Sequence, residues 1–207
     1  MNIDILHKAE NNFISRYPGG FNNPEMIAIG KKHKMAQMEK LAKESFAEKN
    51  FTDPMTIVED AIKLVSRSSM VSVFEKPRFR DYVKSLNREE KAAFAHAIHE
   101  LLHGSQKDGF ELLQGILTRE KLAKWTLMTV IPAYYRPQKE IFIKPTTAKL
   151  IINKLGLELE YKPTPSWEFY KEYRTAINEL KKNADKSLAP NNPAFCGFLM
   201  MSLGDVQ

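Results

Sequence analysis

The stretch Asn87-Arg88-Glu89-Glu90-Lys91-Ala92-Ala93-Phe94-Ala95-His96-Ala97-Ile98-His99-Glu100-Leu101-Leu102-His103-Gly104 decides how this 207-residue chain is read. Phe94, Ile98, Leu101 and Leu102 recur at helical spacing and define one buried stripe. Asn87 can accept from the free amides of a first turn, and Glu90 can return the bond as a capping box. Gly104 stands where a left-handed residue would close the helix. The spacing therefore predicts an α-helix over 88–104.

The same stretch contains His99-Glu100-Leu101-Leu102-His103, the pattern with which zinc peptidases hold their metal. His99 and His103 lie one turn apart on one face and can grip an ion, with Glu100 as the base that activates its water. Such a site needs a third protein ligand. A metzincin-like extension would put His or Asp where this chain has Gly109, and the downstream carboxylates Glu111 and Glu120 have no distinguishing context. At about 100° per residue, His96, His99 and His103 fall nearly opposite Phe94, Ile98 and Leu101, on the solvent side unless another layer covers them. The plain helix is the preferred reading. No cofactor is expected and the three histidines are expected to hold no stoichiometric metal; a zinc-dependent hydrolase is the alternative. Whether the chain is an enzyme stays open.

Outward from this helix, composition sets the class. Apolar residues at 43% and charged residues at 27% are globular values and exclude wholesale disorder. No apolar run approaches the ~20 residues that span a bilayer, so no membrane partner is expected. The start, Met1-Asn2-Ile3-Asp4-Ile5-Leu6-His7-Lys8, lacks the basic and apolar regions of a secretory leader. The single cysteine, Cys196, sits in an apolar run and reads as a buried thiol. Together these features predict a cytoplasmic protein.

Hydrophobic periodicity predicts helices near 3–16, 24–49, 54–66, 88–104 and 166–183, and a docked final helix over the apolar tail 194–203. The second of these is rich in methionine and carries a basic cluster, Lys31-Lys32-His33-Lys34, with Gly30 as a bend. Met70–Phe74 reads as a short strand or a helix end, and Ser105–Gly109 as a polar loop. Thr118 reads as the cap of a helix that Pro132 ends. Ile141-Phe142-Ile143 and the alternating Leu157, Leu159 and Tyr161 read as two short strands around a helix that closes at Gly156. The expected fold is mainly α: a single helical domain with at most a small two-stranded β element in its C-terminal third.

The charge divides the chain at residue 118. Residues 1–118 hold 17 Lys+Arg against 16 Asp+Glu, whereas residues 119–182 hold 13 against 7, which accounts for the whole net charge of +6. A helical part, 1–118, is thus followed by a basic, aromatic-rich part, 119–207, expected to pack with it as one domain. A concentrated positive surface with interleaved aromatics suits nucleic acid or another polyanion, lysines meeting phosphate and rings stacking on bases. The candidate contacts are Tyr134, Tyr135, Arg136, Lys139, Lys144, Lys149 and Lys154. No sequence-reading motif is present.

The run Ile141-Phe142-Ile143-Lys144-Pro145, then Gly156, then Tyr161, Pro163, Pro165, Trp167 and Tyr170, resembles a pattern in a family of uncharacterised bacterial proteins. The resemblance, over residues 125–200, brings no activity and no catalytic residues with it; it implies that this part of the chain has a common job. The leading expectation is a non-catalytic binding protein for nucleic acid or another polyanion. Besides the zinc hydrolase, the other alternative is a protein-interaction or regulatory subunit that uses the methionine-rich second helix or the apolar tail to bind a partner protein.

Overall fold

Side-chain caps fix where most helices begin. The computed structural model describes residues 1–205, which form α1 (Ile3–Arg16), α2 (Pro24–Lys32), α3 (Met35–Ser45), α4 (Pro54–Arg67), α5 (Glu75–Ser85), α6 (Arg88–His103), α7 (Gln106–Thr118), α8 (Trp125–Tyr135), α9 (Pro145–Lys154), α10 (Trp167–Lys182) and α11 (Asn192–Ser202). Asn23, Asp53, Asn87, Ser105, Ser166 and Asn191 each accept a first-turn amide of the helix that follows. The capping box is formed: Glu90 N–H donates to Asn87 Oδ1 at 2.9 Å, and Asn87 N–H to Glu90 Oε2 at 3.0 Å. No described helix is long and apolar enough to cross a membrane.

The centre is α8. Almost every side chain from Trp125 to Tyr134 is buried, as a helix surrounded by others requires. Pro132 lies inside this helix instead of ending it. Around α8 pack α3, α4, α6 and α7, and α7 doubles back along α6. The turn between those two explains their glycines. Gly104 has φ −116°, which is not left-handed. Its missing side chain leaves room for the Glu100 carboxyl, whose carbon would be 2.6 Å from a Cβ there. Gly109 belongs to α7, and a Cβ on it would overlap the Leu101 backbone, with Leu101 Cα at 2.7 Å. Ser105–Gly109 is therefore a cap and a first helical turn, where the sequence predicts a loop.

The expected helix over 24–49 is two helices. The break comes at His33-Lys34, where Lys34 adopts a left-handed φ of 54°, and not at Gly30, which remains within α2. Met70–Val73 form bends and turns outside any helix or strand, Thr118 ends α7, and Lys121, with φ 56°, turns the chain toward α8.

The two predicted strands are not strands: no ladder is present among the described residues. Ile141 and Ile143 are fully buried, which accounts for their apolar character. Their segment lies against helices and borrows polar partners from them. Ile143 N–H donates to Thr129 Oγ1 at 3.0 Å, and Asn192 Nδ2 donates to the Glu140 carbonyl at 3.2 Å. Leu157 N–H likewise donates to the Ile152 carbonyl at 3.0 Å, closing the end of α9. Helix groups satisfy these backbones, so neither segment needs the other.

Core residues from both sides of position 118 belong to one continuous cluster. α1 packs on α11, and Asn2 N–H donates to the Leu155 carbonyl at 2.7 Å. A buried polar hub ties the later elements together. The Glu140 carboxylate accepts from Tyr170 Oη at 2.6 Å, Arg174 at 2.7 Å and Gln106 Nε2 at 3.0 Å. Arg174 also stacks over the Trp167 and Tyr170 rings. One carboxylate thus joins α7, α10 and the segment before α9.

Candidate functional site

The histidine stripe does meet another layer. The 3₁₀ turn Glu48–Thr52 lays Phe51 edge-on against His99 at 5.1 Å and His103 at 5.4 Å between ring centres. His103 Nε2 donates to the Phe46 carbonyl at 2.9 Å, because a carbonyl can only accept, and its ring meets Tyr135 edge-on. Glu100 Oε2 accepts the Ser105 N–H at 2.8 Å, and Oε1 lies 3.2 Å from His99 Nδ1. The Ser105 amide first, and His99 second, hold the Glu100 carboxyl below its ordinary range. His103 and Glu100 are thus engaged in joining α6 to its neighbours, and neither is presented as the zinc-peptidase pattern requires.

The basic, aromatic segment separates into core and surface. Trp125, Phe169, Tyr170 and Tyr173 are buried. So is Tyr134, 1% exposed, with its hydroxyl 3.1 Å from Ser68 Oγ; its ring stands where no base can stack. Burial pushes its phenol above the usual range. Tyr135 is half-buried, with the Arg136 guanidinium 5.5 Å from its ring centre. Arg136 donates to the Leu102 carbonyl at the end of α6. Lys139, Lys144 and Lys149 are exposed, Lys149 with its ammonium 5.0 Å from the Tyr161 ring centre. Lys154 is partly buried in the last turn of α9. Tyr134, Tyr135 and Arg136 therefore serve packing between helices, and only the lysines remain as a cationic surface.

The structure brings together two segments that stand apart in the sequence, the stretch from Met26 to Met35 and the apolar tail. Between α2 and α11 runs an open groove of about 470 Å³, lined chiefly by Met26, Ile27, Ile29, Met70, Met200 and Met201, with Phe142 and Cys196 also contributing. Ile27, Ile29 and Met200 are each more than 40% exposed, unusual for large apolar side chains so close together. Only Met26 of α2 is buried. His33 and Lys144 are among the lining residues, and no described lining residue is acidic. Lys31, Lys32 and Lys34 flank His33 and are exposed. Ile29, Met70 and Phe142 carry no sequence signal for this role; each comes from a different element and they meet only through the fold.

Cys196 borders the groove yet is only 7% exposed. Burial pushes its thiol up to about 12 from an ordinary 9, against a smaller opposing pull from Lys181. The folded value is raised, so the stability linked to the neutral thiol is fully present below pH 9 and is lost as pH rises through about 12. At pH 8 Ellman's reagent is expected to react with the native protein about 10³-fold more slowly than with the urea-unfolded chain, because less thiolate is present. Equal rates would show that the thiol is neither buried nor shifted.

Compared with models of known protein families, with characterised proteins and with solved structures, the chain has no match.

Proposed function

We propose that the protein is a non-catalytic binding module whose groove between α2 and α11 takes the apolar face of an acidic amphipathic helix from a partner protein. The observation that carries this reading is the groove itself: apolar, open and methionine-lined, with Lys144 and His33 but no carboxylate among its described lining residues. Methionine side chains are unbranched and adapt to irregular apolar surfaces, the property used by grooves that accept helices. Its volume of about 470 Å³ lies within the range of binding clefts. No sheet edge is present among the described residues to which an extended peptide could add, which favours a helix over a strand. The cations come from separate elements, Lys31, Lys32 and Lys34 at and just beyond the end of α2 and Lys144 before α9, an arrangement suited to several carboxylates along one ligand.

Polyanion binding through residues 119–182 draws less support. Most of the aromatic residues needed for base stacking are core, and of the candidate lysines Lys144 belongs to the lining of the apolar groove.

The test is fluorescence-anisotropy titration with a labelled helical peptide carrying leucines on one face and glutamates on the other. Binding in the micromolar range is expected, weakened at least about tenfold by Ile27→Asp, equivalent to ~1.4 kcal/mol. The Ile27 side chain is exposed, so the fold should tolerate the change. Lys144→Glu should weaken the same peptide, whereas a twin peptide with lysines replacing glutamates should bind poorly. Equal binding of both peptides, or no effect of Ile27→Asp, would refute the reading. Binding of a long-chain fatty acid in preference to either peptide would reassign the groove to a lipid.

A further inference from the structure

We propose that His96, His99 and Glu100 form a site for one divalent first-row transition ion, of the zinc, nickel or copper class. This donor set differs from the peptidase pattern, since it replaces His103, committed to the Phe46 carbonyl, with His96. One ligand atom from each of the three residues lies within 4.8 Å of the others. An ion about 2.0–2.2 Å from each donor fits such a triangle after a small turn of the exposed His96 side chain.

Two of the three donors are already held in place. Phe51 packs edge-on against the His99 ring, and the Ser105 amide fixes Glu100 Oε2 at 2.8 Å, leaving Oε1 toward His99 Nδ1 at 3.2 Å. That last separation is close to the edge of a tetrahedron of ligands around a small cation, so an ion can replace the bridging hydrogen. Ser105 and Phe51 then act as the outer shell that orients the ligands. Beside the cluster lies a recess of about 390 Å³ lined by Glu48, Phe51, Thr52, His96 and His99 among others, which gives water or a small anion access to the remaining coordination positions. Two imidazoles with one carboxylate select a borderline transition ion over calcium or magnesium, which prefer oxygen ligands throughout. The site is built on α6 and the Glu48–Thr52 turn, elements that contribute nothing to the lining of the groove, so it stands independently of the proposed partner binding.

The test is isothermal titration of the full chain with zinc chloride and nickel chloride, alongside the visible spectrum after cobalt(II) addition. One equivalent of zinc or nickel is expected to bind, and magnesium chloride to give no saturable heat. His96→Ala and His99→Ala should each weaken binding about 10–100-fold. His7→Ala, at an exposed position far from the cluster in sequence, should leave it unchanged. Circular dichroism should show His96→Ala folded, since that side chain is exposed. Cobalt(II) should give ligand-field bands in the native protein that His96→Ala abolishes. No saturable binding below about 100 µM ion, or undiminished binding in His96→Ala, would overturn the proposal. Loss in His103→Ala with none in His96→Ala would also overturn it, in favour of the His99–His103 pair.

Discussion

Glu140→Ala is expected to destabilise the protein by about 3–5 kcal/mol, because it removes the carboxylate of a buried ion pair and leaves the Arg174 charge uncompensated. Glu140 is 4% exposed, and its carboxylate accepts from Tyr170, Arg174 and Gln106. With the carboxylate gone, the Arg174 guanidinium is left against the Tyr170 and Trp167 rings without its counter-charge, and the Tyr170 hydroxyl loses its acceptor. The effect reaches two helices at once, since the lost carboxylate accepts from Gln106 of α7 and from Tyr170 and Arg174 of α10. Tyr170→Phe removes one donor and keeps the charge pair, so a loss of about 1–2 kcal/mol is expected. Urea unfolding monitored by tryptophan fluorescence measures both. A change below ~1 kcal/mol for Glu140→Ala would mean that the network is not formed in solution.

Gly109→Ala is expected to cost about 3 kcal/mol or more, a large effect for one added methyl, because the new carbon would fall on the backbone of a neighbouring helix. The nearest atoms are the Leu101 nitrogen and Cα and the Glu100 carbonyl carbon, none of which can rotate away as a side-chain tip would. α7 would have to move off α6, breaking the packing of Phe110 and Leu113 and pulling Ser105 from the Glu100 carboxylate. Gly115, in the same helix, has open space where an alanine methyl would stand, and Gly115→Ala is the matched control. It should be neutral or slightly stabilising, since alanine is the better helix former. Thermal unfolding of the two variants side by side tests the contrast; equal melting temperatures would contradict the close approach of α6 and α7.

The regular elements are legible where cap, stripe and stop agree. Asn87 with Glu90, Asp53 with Pro54 and Ser166 before Trp167 mark the starts of α6, α4 and α10 within a residue of the structure. The errors arise where tertiary packing, not local pattern, sets the backbone. Ile141 and Ile143 are apolar because they are buried against helices, and a buried extended segment has the same alternation as a strand. Nothing local to Lys34 announces a left-handed turn, whereas Gly30, the expected bend, fits within α2.

Site residues are harder to read for the same reason. Tyr134 and Tyr135 are adjacent in sequence, yet one is core and the other half-exposed against His103. Met26 of α2, Met35 of α3 and the apolar tail are visible as separate features. Their convergence on one groove depends on the path of eight intervening helices, α3 to α10. Gly109, read in the sequence as the end of a polar loop and as the wrong residue for a metal ligand, is the point where two helix backbones touch.

Hydrogen–deuterium exchange of the full chain, with and without the acidic amphipathic peptide, tests the proposed binding function most directly. In the free protein α2, with a single buried residue, should exchange quickly compared with α8, whose side chains are nearly all buried. On adding peptide, protection should rise in α2, around Met70 and in α11, the elements that line the groove, and stay unchanged in α6 and α10. Protection that appears instead on α9 and α10, around Lys149 and Arg174, with none in α2 or α11, would contradict the groove as the binding site.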